Sequence, residues 1–320
     1  MTDSWQAIIE QQAADMTASD LQTTPCFIPL NELGVLQITG DDGQRFLQNL
    51  FTNDVDLLSI NQAQLNGFCN AKGRLFAVFI LVRRDDGFQL ILPKVMCTPL
   101  LQRLSMYILR SNVLISDVSD AVACMGLTRS LNTITLPTAH YQVVESDEVI
   151  FIKYSDSKPY FLCVSTQGKA ATFIQSLQQD AWEMATEKQW QQFEIEQGLP
   201  SIYPDTQEKF TPQQVNFDLI GGVSFKKGCY PGQEVVARLH YLGKASRRMF
   251  IAQANSNSLP KIGQEVTTED GSVAGHIVRA QYKDTTTISL LLSLKLASQQ
   301  PSVFIDNTIE IIIFEQHFPE

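Results

Sequence analysis

The feature that most constrains this chain is a change of hydrophobic period at its last quarter. Past Arg248 no helical stripe recurs, and residues 250–254, 265–268, 272–280, 286–292 and 309–314 form strand-length runs separated by turn residues. Runs of that length and spacing predict a small antiparallel barrel or sandwich. Ahead of Arg248 the two periods alternate. Strands are expected at 35–39, 64–69, 75–82, 88–92, 113–118, 121–127, 149–154 and 160–164, with the turns Ala71-Lys72-Gly73 and Asp85-Asp86-Gly87 folding neighbours into hairpins. Helices are expected over 4–16 (Trp5, Ile8, Ile9, Met16), after Asp41 or Asp42 as N-cap (Phe46, Leu47, Leu50, Phe51), and through Leu100, Leu101, Leu104, Tyr107 and Ile108. Two more are expected over 170–179 and 187–197, the latter stopped by Gly198 and Pro200. Sheets with helices on one face are the simplest packing of that order, so the fold class is α+β with mixed sheets and a C-terminal antiparallel β-barrel. The boundary falls near 243–249, leaving two α+β lobes in 1–243 and the barrel in 244–320.

Charge and cysteine usage exclude several functions. With 24 Lys+Arg against 34 Asp+Glu the net charge is −10, which disfavours coating duplex nucleic acid by general basic charge. Cys26, Cys69, Cys97, Cys124, Cys163 and Cys229 show no C-x-x-C and no paired spacing, favouring a reducing compartment over a disulfide scaffold. The four histidines, His140, His240, His276 and His317, have no ligand spacing, so no metal site is expected. An acidic, amphipathic start and apolar runs far short of the roughly 18 residues of a membrane span give the expectation of a soluble cytoplasmic protein.

One segment departs from this ordinary background. Phe225-Lys226-Lys227-Gly228-Cys229-Tyr230-Pro231-Gly232-Gln233-Glu234 sets one thiol between glycines and behind two lysines. Pro231 or Gly232 can open a helix through Glu234 and Arg238, which would put Cys229 near a helix N-terminus; helix amides and adjacent lysine favour the thiolate, the form that attacks electrophiles. A buried, inert cysteine is the other reading. From Lys226 to Arg248 six cations (Lys226, Lys227, Arg238, Lys244, Arg247, Arg248) face one acid, Glu234. Such a local reversal of sign suits a polyanionic ligand or an RNA backbone, or equally a solvated stripe. His240 could reach the thiolate or lie on the surface.

Lys227-Gly228-Cys229-Tyr230-x-Gly232-Gln233-Glu234 resembles the signature of the YgfZ family of folate-binding, tRNA-modifying proteins, relatives of the glycine-cleavage aminomethyltransferase. Further matches fall in the family's order: Ile38-Thr39-Gly40, Cys69-Asn70-Ala71-Lys72-Gly73, Gln189-Trp190, Ile195-Glu196-Gln197-Gly198-Leu199-Pro200, Phe210-Thr211-Pro212-Gln213, Asn216-Phe217-Asp218 and Gly221-Gly222-Val223-Ser224-Phe225. The resemblance runs through roughly residues 33–248. It implies small domains around a central opening that holds tetrahydrofolate, with Glu196 facing the pterin, where a carboxylate accepts two parallel hydrogen bonds. Trp190 would offer a flat face to the ligand, or be a core anchor. Tyr230, Arg238, Asn70 and Lys72 are the other candidate folate contacts, and Cys229 with Lys227 the candidate catalytic pair.

Two departures bear on activity. A folate-associated tryptophan of the family is absent near Leu33. The aspartate that the aminomethyltransferases carry on the strand after the glycine turn is also missing, since that strand reads Gly73-Arg74-Leu75-Phe76-Ala77-Val78-Phe79. The resemblance therefore implies a folate-binding accessory protein for iron–sulfur enzyme assembly or repair and tRNA modification. Its expected partners are folate and iron–sulfur enzymes such as a tRNA methylthiotransferase, with direct RNA contact through 226–248 and no membrane. The alternatives are a folate-dependent one-carbon transferase and a non-enzymatic docking module for RNA or a protein.

Overall fold

Short alternating runs and isolated amphipathic turns become seventeen strands and six α-helices among the described residues. The structure is a computed structural model that describes residues 5–13, 21, 23–131, 134–241, 245–296 and 302–314; Met16, Lys244 and His317 lie outside them. In chain order the elements begin α1 (Trp5–Ala13), β1 (Cys26–Pro29), β2 (Leu33–Thr39), α2 (Gly43–Gln48), β3 (Ala63–Cys69), β4 (Leu75–Arg84) and β5 (Gly87–Pro93). There follow α3 (Cys97–Ser105), β6 (Leu114–Asp117), β7 (Val122–Leu127), β8 (Val143–Ser146), β9 (Val149–Lys153), β10 (Phe161–Thr166), α4 (Gln167–Gln179), β11 (Glu183–Met184), α5 (Glu187–Glu196) and α6 (Gln233–Tyr241). Six strands close the chain: β12 (Arg247–Asn255), β13 (Glu265–Thr268), β14 (Val273–Tyr282), β15 (Thr287–Lys295), β16 (Val303–Ile305) and β17 (Ile309–Ile313).

Chain contacts divide the molecule into two units, cut elsewhere than at the expected 243–249 boundary. The first comprises residues 1–43, 57–64 and 80–190; the second comprises 44–56, 65–79 and 191–320, so the barrel shares its unit with two earlier segments and with the cysteine segment. Strand β4 and helix α5 each run from one unit into the other.

In the first unit a six-stranded sheet has the order β11-β1-β7-β10-β9-β8. Helix α4 buries Ala170, Ala171, Ile174 and Leu177 against Phe27, Met125, Leu127, Phe151 and Phe161, with Trp5 of α1 in the same cluster. Thr166 caps α4 by accepting from the Lys169 amide at 3.4 Å. The other sheet of this unit takes in Ile80–Arg84 of β4, then β5, β2 and β6 in that order, with the expected hairpin at Gly87 joining β4 to β5. Helix α3 ends at Ser105, short of Tyr107 and Ile108, and Leu109 follows in the left-handed region at φ 45°.

The second unit contains the closed barrel β12-β15-β14-β13-β16-β17, which settles the barrel-or-sandwich alternative. Its interior is Phe250, Ala252, Val266, Ile277, Ile288, Leu290, Leu292, Leu294, Val303, Ile305 and Ile311. The alternation along β12 puts Phe250, Ala252 and Ala254 inside, so a closed sheet leaves no unpaired edge around that core. No helix among the described residues is long and apolar enough to cross a membrane.

Candidate functional site

Two of the singled-out motifs meet in the second unit. The turn between β3 and β4 is built by Asn70, whose Oδ1 accepts from the amides of Lys72 at 2.9 Å and Arg74 at 3.1 Å, while Gly73 N–H donates to Asn70 O at 2.9 Å. Gly73 sits at φ +68° and Gly232 at φ +77°, where a Cβ is strained, and the two glycine backbones are in contact: a Cβ on Gly232 would lie 2.5 Å from the Gly73 amide nitrogen and clash with Asn70 O. The hairpin turn and the cysteine segment thus touch backbone to backbone. Asn70 is buried in this joint, whereas Lys72 and Arg74 are exposed and Arg74 Nη1 donates to Lys209 O.

The cysteine segment is pinned on both sides of the thiol. Upstream, Thr52 Oγ1 donates to Gly222 O at 2.7 Å, Ser224 N–H to Thr52 O at 2.9 Å, and Asn53 Nδ2 to Gly221 O at 2.8 Å. Lys227, 7% exposed, sends its ammonium to the carbonyls of Gln48 (2.6 Å), Phe51 (2.6 Å) and Asn53 (3.1 Å), one for each N–H, and lies 5.4 Å from the centre of the Tyr230 ring. Burial pulls that ammonium down to about 8, against the opposing pull of Asp54 and Asp56. Downstream, Tyr230 is buried and its hydroxyl is pushed up, first by burial and then by Cys69. Between these anchors Gly228 and Cys229 are exposed. The other five cysteines are buried, and burial pushes the Cys97 thiol up to about 11 and the Cys124 thiol to about 12.

Helix α6 begins at Gln233, with Gly232 O accepting from the amides of Val235 and Val236, both at 3.2 Å. Cys229 therefore stands ahead of a helix N-terminus, in the place expected from the sequence. Lys227, expected to act on the thiol, directs its charge to the backbone carbonyls instead. Arg238 is exposed on the last turn of α6. Of the six cations counted between 226 and 248, Lys227 is spent on those carbonyls and Arg248 is buried against Asp218 at 2.7 Å and Gln213 O at 3.1 Å. The basic surface is smaller than the composition suggests.

Trp190 and Glu196 sit at opposite ends of α5 and differ in environment. The indole is 2% exposed, stacked on Tyr154 (centroids 5.2 Å, 27°) and Tyr160 (6.0 Å, 19°), and packed so closely over Gly126 of β7 that a Cβ there would lie 2.5 Å from its Cζ3. Of its two expected roles the structure gives it that of core anchor, because protein already covers its faces. Glu196 is exposed and accepts from Gln192 Nε2 at 3.0 Å; the same amide nitrogen donates to Ser289 Oγ of β15 at 2.9 Å. A carboxylate only accepts, so the amide must turn its NH2 to Glu196, and Gln192 Oε1 is left buried with no hydrogen-bond partner. Sequence reading missed Gln192, and it missed the buried pair Arg279–Glu194 (2.8 Å) that fastens the same helix to β14. A glutamine one turn before the expected pterin glutamate is the only signal that could have found the first.

No family model matches the chain. Among curated relatives, a tRNA-modifying protein YgfZ of Yersinia enterocolitica serotype O:8 is 31% identical over 263 residues, covering 80% of this chain and 78% of the relative. That of Hamiltonella defensa is 31% identical over 288 residues, covering 87% and 84%, and that of Escherichia coli strain SE11 is 29% identical over 287 residues, covering 88% and 85%. Among solved structures, the glycine cleavage system aminomethyltransferase T of Bartonella henselae superposes with a TM-score of 0.71 at 12% identity, covering 92% of this chain and 85% of that one, which establishes a shared fold. Identity of this extent across most of both chains, on a T-protein-like fold, makes this chain a member of the family of tRNA-modifying YgfZ proteins.

Proposed function

We propose that this protein is a tetrahydrofolate-binding accessory factor for iron–sulfur enzymes that modify tRNA, with Cys229 as its working group. The observation that carries the reading is the presentation of Cys229: the one exposed thiol of six stands at the apex of a loop whose two flanks, Lys227 and Tyr230, are buried and bonded. Holding an exposed thiol between these anchors costs a buried ammonium and reserves two positive-φ positions for glycine, which a merely structural cysteine would not require.

Glu196 fits folate. A pterin edge offers adjacent N–H donors, and Glu196, exposed and oriented by Gln192 Nε2, can accept two of them. Bound folate would supply one-carbon or redox chemistry, while the chain itself binds and orients it through this carboxylate and offers the thiol. Asn70 shapes the turn that abuts Gly232, and Lys72 stands exposed on that turn, available to the anionic tail of the ligand. Lys227 acts as the anchor that keeps the loop in register. An aminomethyl transferase reading is weakened by the absence of an acid in Gly73–Phe79.

The test is calorimetric titration of tetrahydrofolate into the wild type, Glu196→Gln and Gln192→Leu. Glu196→Gln is expected to weaken binding by about 1.5 to 3 kcal/mol, the scale of a charged hydrogen bond. Unchanged affinity in both variants, or no binding by the wild type, overturns the folate reading.

A further inference from the structure

We propose that Phe225, His240 and Tyr241 form a stacking platform for an unpaired base of an RNA strand, with Lys226 and Arg238 holding the neighbouring phosphates. The inference rests on the reading that this protein works on tRNA, and deepens it by naming the surface and the form of RNA.

The rings of Phe225 and His240 lie nearly parallel, at 9° with centroids 3.7 Å apart. Tyr241 meets them edge-on, 6.1 Å from Phe225 and 4.8 Å from His240, and its hydroxyl donates to Phe225 O at 3.5 Å. Three aromatic rings collected in this way usually form a core, yet Tyr241 is 65% exposed and His240 is exposed as well. The cluster is assembled in advance from the start of the cysteine loop and the last turn of α6, so a base that stacks on it orders little new chain.

The charge around it selects the occupant. Lys226 and Arg238 are exposed and form no ion pair among the described residues; even Glu234, one turn before Arg238 on α6, is not bonded to it. Two unspent cations, Lys226 next in the chain to Phe225 and Arg238 three residues before Tyr241, together with the exposed rings of His240 and Tyr241, complement in a chain of net charge −10 a phosphate backbone carrying splayed bases, the pairing that single strands use. A protein partner would call for an apolar groove, whereas this surface offers π-faces rimmed by cations. Duplex RNA closes its bases to stacking, which restricts the fit to loops, bulges and ends. Phe225 is four residues from Cys229, at most about 14 Å of extended chain, so a strand held on the platform passes close to the exposed thiol.

The experiment is fluorescence anisotropy with a labelled single-stranded RNA of about 12 nucleotides, a length within the site size of stacking proteins. It compares that strand with the same strand made abasic and with its duplex. The wild type is expected to prefer the intact single strand, Tyr241→Ala to lose about five-fold or more in affinity, and Tyr241→Phe to keep it. The double variant Lys226→Glu, Arg238→Glu is expected to lower the slope of log affinity against log salt by about 1.4, two phosphate contacts' worth. Equal binding of the abasic strand or the duplex, unchanged affinity in Tyr241→Ala, or no RNA binding at low salt overturns the proposal, the last in favour of a protein partner. Tetrahydrofolate titration of Tyr241→Ala keeps the two readings apart, since folate binding is expected to survive there whatever becomes of RNA.

Discussion

Replacing Lys227 by methionine removes the ammonium that serves the carbonyls of Gln48, Phe51 and Asn53 while keeping an unbranched stem to pack against Tyr230. The bonds to Gln48 and Asn53 lie where water can partly replace the lost donor; the bond to Phe51 O is fully buried and cannot be replaced. One orphaned buried carbonyl and two weakened ones, each losing a charged donor, add up to about 3 kcal/mol, after allowing that the variant no longer desolvates a charge. Urea denaturation followed by far-UV circular dichroism reads this, and Trp5, Trp182 and Trp190 all belong to the first unit, so fluorescence gives an independent record of the other half of the chain. Lys226→Met, one position away and exposed, is the control and is expected to change stability by no more than about 0.5 kcal/mol. A Lys227→Met effect as small as that of the control would refute the anchoring role and return Lys227 to chemistry on the thiol.

Three further outcomes follow from the geometry. Gly232→Ala forces a Cβ into the Asn70–Gly73 turn at φ +77° and is expected to destabilise by about 2 kcal/mol or more and to raise the susceptibility of residues 225–233 to limited proteolysis; wild-type behaviour would mean the loop and turn are not locked together. Trp190→Ala is expected to cost about 3 to 5 kcal/mol as a core deletion, with Trp190→Phe milder and tetrahydrofolate affinity unchanged in the latter; a selective loss of affinity in Trp190→Phe would place the indole on the ligand after all. The Lys227 amine is expected to titrate near 8. An unfolded lysine keeps its proton to a higher pH, so between about 8 and 10.5 the unfolded chain binds more protons and stability from this group rises with pH. The stability difference between wild type and Lys227→Met is therefore expected to widen across that window, and a narrowing would show that the three carbonyls outweigh burial.

What the sequence displayed and what it hid follow from the range of the interactions involved. Period and punctuation are local, so the hairpins around Gly73 and Gly87, five of the six barrel strands and the start of α6 after Gly232 were legible. Strands β8, β11 and β16, of two to four residues, are too short for any period to register. Lys227 read as a catalytic lysine because its partners lie 174 to 179 residues earlier in the chain. Arg248 read as surface charge for the same reason, its mate Asp218 being fixed only by the fold; charge reversal there would strand a buried carboxylate rather than probe a docking surface. Trp190 had two readings because helical geometry says which way a side chain points but not that Gly126 and two tyrosines wait on that side.

Because Cys26, Cys69, Cys97, Cys124 and Cys163 are buried, alkylation of the native protein by iodoacetamide reports Cys229. The most direct test of the central claim is the rate of that alkylation, followed by peptide mass spectrometry, as tetrahydrofolate is added. A thiol that works beside bound folate is predicted to change its rate saturably, with a half-point equal to the dissociation constant from calorimetry and shifted in Glu196→Gln by the same factor as that variant's affinity. A rate that stays constant while calorimetry shows the protein saturated would contradict the account and separate Cys229 from the folate site.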